Sequence, residues 1–67
     1  MTYEVIVGNI GLVHSGQSRR VAEDVFSLYV KDSQNRYGKV AGESVTLFGN
    51  GEIIREYEGT ANQEETN

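Results

Sequence analysis

Asn50-Gly51 stands between two β-forming runs, Val45-Thr46-Leu47-Phe48 and Ile53-Ile54-Arg55-Glu56-Tyr57. Asparagine and glycine tolerate the positive φ angles that a two-residue hairpin demands, so this dipeptide commits the last third of the chain to a β-hairpin. With Asn50-Gly51 as the loop, Leu47 faces Ile54 and Phe48 faces Ile53. A three-residue loop, Gly49-Asn50-Gly51, would shift every partner by one.

A second hairpin is written near the start. Gly8-Asn9 separates Tyr3-Glu4-Val5-Ile6-Val7 from Ile10-Gly11-Leu12-Val13-His14, and reads as another two-residue loop. Val7 then pairs with Ile10, Val5 with Leu12 and Tyr3 with His14 on one face. Glu4, Ile6 and Val13 take the other.

Ser15-Gly16-Gln17 breaks the second strand, and Ser18 is a good helix N-cap. From Arg19 to about Ser33 there is neither Gly nor Pro. Val21, Val25 and Leu28 form a stripe with Ala22 and Tyr29 beside it and Phe26 at its margin. Arg20, Asp24, Ser27 and Lys31 line the opposite side, as an amphipathic helix requires. Asn35 or Gly38 is the expected left-handed C-cap.

The order strand, strand, helix, strand, strand predicts a small α+β domain, ββαββ, over residues 1–59. Its antiparallel four-stranded sheet carries the helix on one face. Strand order is not legible. Residues 60–67, Thr60-Ala61-Asn62-Gln63-Glu64-Glu65-Thr66-Asn67, hold almost nothing to bury and read as a disordered acidic tail.

At 67 residues without cysteine, the fold rests on packing or on oligomerisation. One histidine and no cysteine cannot make a structural zinc site. No apolar run is long enough to span a membrane. The lack of cysteine and of an export signal points to the cytoplasm. Net charge is −4, against general nucleic-acid affinity. The charge is uneven: Arg19, Arg20, Lys31, Arg36 and Lys39 sit around the helix, while Glu43, Glu52, Glu56, Glu58, Glu64 and Glu65 crowd the C-terminal third.

Catalytic constellations are missing. His14 and Ser15 are adjacent on a strand and point to opposite faces, which defeats a nucleophile–base pair. Glu56 and Glu58 share a strand face without a calcium loop, and suit a charged edge strand better. The expectation is a non-enzymatic protein with no metal and no cofactor.

From Val40-Ala41-Gly42-Glu43 through Phe48-Gly49-Asn50-Gly51-Glu52-Ile53 to Tyr57, the pattern resembles small uncharacterised bacterial and phage proteins built as hairpin–helix–hairpin. The resemblance extends over about residues 3–59. It implies the topology and a phage or mobile-element origin, for which inhibition of a host protein is a natural role. It brings no catalytic residues.

Two surfaces remain as candidates. Val5, Val7, Ile10, Leu12, Val21, Val25, Leu28, Tyr29, Val45 and Leu47 suffice to fill a layer between helix and sheet. Ile6, Val13, Phe48, Ile53 and Tyr57 are then surplus, and with Arg55 they make a partner-binding face for another protein or a second copy in a homodimer. The alternative is anion binding by Ser18, Arg19 and Arg20 at the helix N-terminus. Extended over Lys31, Arg36 and Lys39, it becomes a nucleic-acid surface, provided that all five basic residues share one face. Against this, Arg19 and Arg20 can pair with Glu23 and Asp24 four residues on.

Overall fold

The computed structural model describes residues 1–35 and 42–59. The β-branched and aromatic runs form β1 (Tyr3–Val7), β2 (Gly11–Gly16), β3 (Val45–Gly49) and β4 (Glu52–Tyr57), with α1 (Arg19–Gln34) between the hairpins. The architecture is the expected α+β fold in the order ββαββ. The antiparallel sheet runs β2-β1-β3-β4, so the first strand of each hairpin lies inside and the second at an edge.

The inner strands alternate. Tyr3, Val5 and Val7 of β1 and Val45 and Leu47 of β3 are buried under α1 with Ala22 and Phe26. The helix lies across β3, β1 and β2.

The first hairpin does not use a two-residue loop. Ile10 N–H donates to the Val7 carbonyl at 3.1 Å, but among the described residues neither Gly8 nor Asn9 has a positive φ, which a mirror-image turn would need. Gly11 takes the left-handed conformation instead, at φ 100°, and pairs with Val7. Three residues, Gly8, Asn9 and Ile10, therefore separate the paired Val7 and Gly11, and Gly11 supplies the left-handed backbone that turns the chain back into β2. Its tip is held from outside: Gly8 N–H donates to the Ser44 carbonyl at 2.8 Å. The Glu43 carboxylate accepts from the Asn9 backbone N–H and from its side-chain amide, both at 2.9 Å.

The second loop is Asn50-Gly51, with φ of 53° and 84°, and Gly49 pairs with Glu52. Its tip is also docked. Asn50 N–H donates to the Thr2 carbonyl at 2.9 Å, and Thr2 N–H donates to Asn50 Oδ1 at 3.0 Å.

Each outer strand holds one extra residue. Val5 pairs with His14 and Ile6 with Leu12, which leaves Val13 as a bulge. Leu47 pairs with Arg55 and Phe48 with Ile53, which leaves Ile54 as a bulge. A bulge sets two consecutive residues against one and interrupts the alternation. Val13 and Ile54 therefore pack against the core with Tyr57. The expected facing pairs Val7–Ile10, Val5–Leu12, Tyr3–His14 and Leu47–Ile54 are replaced, while Phe48–Ile53 stands.

The core differs from the expected layer in consequence. Val25 and Tyr29 do pack against it, together with Val30. Ile10 and Leu12 are 41% and 57% exposed, and Val21 and Leu28 are 47% and 57% exposed. The helix is turned so that Ala22, Phe26 and Ser33 face inward.

Ser33 is fully buried, and its hydroxyl donates to the Glu43 carbonyl at 2.7 Å. The Ser33 carbonyl accepts from Gly42 N–H at 3.1 Å. Asn35 caps the helix in a right-handed conformation, not the left-handed one expected; its own N–H bonds back to the Lys31 carbonyl. Gly38 and residues 60–67 lie outside the described residues.

Candidate functional site

The face of the sheet away from α1 is built by the alternate residues of each strand. The registers place Ser15, Glu4, Phe48 and Ile53 in one row across β2, β1, β3 and β4. Leu12, Ile6, Thr46 and Glu56 form the next row. Leu12 and Ile6 stand at one end of their row, and Phe48 and Ile53 at the opposite end of theirs. The four apolar side chains thus form a diagonal band from edge to edge. Leu12 and Ile53 are each 57% exposed, while Ile6 and Phe48 are half-buried between neighbouring strands. Glu4 flanks the band on one side and Glu56 on the other.

Of the six residues expected on this face, Ile6, Phe48 and Ile53 are there. Val13, Arg55 and Tyr57 are not. The bulges at Val13 and Ile54 carry Val13 and Arg55 to the helix side, and Tyr57 pairs with buried Val45. The Tyr57 hydroxyl is buried without a hydrogen-bond partner among the described residues. Leu12 is the member that the sequence reading missed. The signal was Gly11, whose left-handed loop position moves Leu12 to the open face.

The helix N-terminus is a separate assembly. Ser18 is the N-cap: its hydroxyl accepts from Val21 N–H at 3.2 Å, and its carbonyl accepts from Ala22 N–H at 3.0 Å. Arg19 is turned along the helix to Glu23, with Nε to Oε2 at 2.9 Å. The other Glu23 oxygen accepts from Arg55 Nη1 at 3.2 Å. The Arg55 guanidinium also lies over the Phe26 ring, 5.3 Å from its centroid, a cation–π geometry. Arg19's hydrogen bond, more than any other influence, holds the Glu23 carboxyl below its ordinary value, and Arg55 adds to this. The anion that Arg19 holds is thus Glu23, four residues on along the same helix. Arg20 is exposed on the outer side of the helix with Lys31. Ser18, Arg19 and Arg20 therefore do not converge on a common point. Arg36 and Lys39 lie outside the described residues.

His14 and Ser15 part as expected. His14 pairs with Val5 on the helix side and Ser15 with Glu4 on the open face. His14 Nε2 is buried without a partner among the described residues. No pocket and no cluster of three metal-ligating side chains occurs among the described residues. No helix there is long and apolar enough to cross a membrane. No family model, curated protein or solved structure matches the chain.

Proposed function

We propose that this protein is an interaction module that binds another protein through the open face of its sheet. The observation that carries this reading is the edge-to-edge apolar band of Leu12, Ile6, Phe48 and Ile53, with its two ends 57% exposed. Leaving large aliphatic side chains wet forgoes about 25 cal/mol per Å² of apolar area, a serious loss in a domain with so little core. Covering the band recovers it.

The sheet edges support binding by the face. Both outer strands are bulged, and β4 also carries Glu52, Arg55 and Glu56. Bulges and edge charges are the usual means of discouraging strand-to-strand addition.

The test compares Ile53→Asp on the open face with Leu28→Asp on the exposed side of the helix. Both variants should keep the wild-type circular dichroism spectrum. Ile53→Asp should abolish capture of whatever partner the wild type retains, or dissociate the wild-type oligomer, while Leu28→Asp leaves both intact. Loss with Leu28→Asp and retention with Ile53→Asp would move the binding surface to the helix.

A further inference from the structure

We infer that the occupant of the open face is a protein segment with an apolar ridge flanked on both sides by lysine or arginine, and not a second copy of this chain. The inference rests on the open-face reading and adds the chemistry of the partner.

Glu4 lies beside the band on one flank and Glu56 on the other, and neither makes an ion pair among the described residues. No described lysine or arginine is on this face. Arg19, Arg20 and Lys31 belong to the helix, and Arg55 is drawn to Glu23 and Phe26 on the helix side.

A second copy can lay its band along this one in two ways, through a two-fold axis running either along the band or across it in the plane of contact. The first sets the Glu4 flank against the partner's Glu56 flank. The second sets each flank against itself. Either way carboxylate meets carboxylate, and like charges brought together at an interface cost affinity and suppress that pairing. The same corners attract a basic flank. At a strand spacing of about 4.8 Å, the band is about 15 Å long. A helix of about three turns, with leucine-type residues on one stripe and lysines on both borders, spans that distance.

The experiment uses the full chain, isotope-labelled, and two synthetic helical peptides of three to four turns. Both carry the same leucine stripe; one has lysine on both borders and the other glutamate. The lysine-bordered peptide should bind about tenfold more tightly at low salt, since a few exposed ion pairs supply that much. Its chemical-shift changes should centre on Ile6, Leu12, Phe48 and Ile53. Glu4→Gln with Glu56→Gln should bring the two affinities together, and Ile53→Ser should weaken both peptides alike. The inference is overturned if the two peptides bind the open face equally, if the double glutamine variant keeps the preference, or if the wild type dimerises through this face at neutral pH. The open-face reading itself fails if neither a peptide nor a second copy perturbs those four residues.

Discussion

The two hairpins follow one plan with different chemistry. Each places an alternating strand inside the sheet and a bulged strand at its edge. Each bulge turns an aliphatic residue, Val13 or Ile54, onto the core with the residue after it. In the first hairpin that next residue is His14, whose Nε2 is buried unpaired among the described residues. In the second it is Arg55, which reaches over the helix to Glu23 and Phe26. The turns differ as well: three residues and a left-handed Gly11 against two residues and a left-handed Asn50-Gly51. The difference teaches that a hairpin's register here follows from its turn and from where its bulge falls, and not from the hydrophobic alternation of its strands alone.

The strongest break of the comparison is a charge on either side of β4. Tyr57→Glu buries a carboxylate beside Val45 and should cost about 3 kcal/mol or more, enough to unfold much of the population. Ile53→Glu, four residues earlier on the open face, should stay within about 1 kcal/mol of wild type. Urea denaturation of both variants checks this, and equal losses would mean that the Ile54 bulge is misplaced.

Glycine substitutions sharpen the contrast between the turns. A Cβ on Gly49 would collide with the Ile54 side chain, which folds back over it, and would press on the Tyr3 ring. Gly49→Ala should cost about 2 kcal/mol through overpacking. Gly11→Ala meets nothing among the described residues but must hold φ near 100°, and should cost about 1 kcal/mol. The two melting temperatures, ranked in that order, are the expected result.

The smallest effect concerns the Arg55 arm that the first hairpin lacks. Glu23 titrates below its ordinary value of 4.5 in the folded protein. Its contribution is therefore fully present above pH 4.5 and is lost as pH falls through the lowered folded value. Glu23→Gln should melt below wild type at pH 7 by a small margin that closes on acidification. A margin that widens as pH falls would reverse the sign of the interaction.

Much of this was legible in the sequence. Ser18 as N-cap, a turn on Asn50-Gly51 and the order of the five elements follow from local chemistry that tertiary contacts left alone, whereas the choice between a two-residue and a three-residue loop at that turn does not. The bulges were not legible. Val13 sits within Leu12-Val13-His14 and Ile54 within Ile53-Ile54-Arg55, runs in which either face assignment buries an aliphatic residue. The inward stripe of the helix lies about one position on from the one that its apolar spacing suggests. Val21 and Leu28 look like core residues and are exposed, while Ser33 looks like surface and is buried, because the Glu43 carbonyl gives its hydroxyl a partner. The candidate face was therefore half legible. Ile6, Phe48 and Ile53 followed from alternation, but Tyr57, Arg55 and Val13 needed the bulges and Leu12 needed the loop.

The docking of the two turn tips has a kinetic consequence. The tip of the first hairpin is clasped by Glu43 and Ser44, which lead into β3, and the tip of the second by Thr2, which leads into β1. Those hydrogen bonds join residues 34 and 48 positions apart. Neither turn is finished until the other half of the chain has arrived, so loop-closure entropy is spent before either hairpin gains its full set of bonds. A peptide containing one hairpin alone lacks its clasp and stays largely unstructured. The two clasps thus tie the fate of each hairpin to the other, so that loss of either tip's bonds should loosen both.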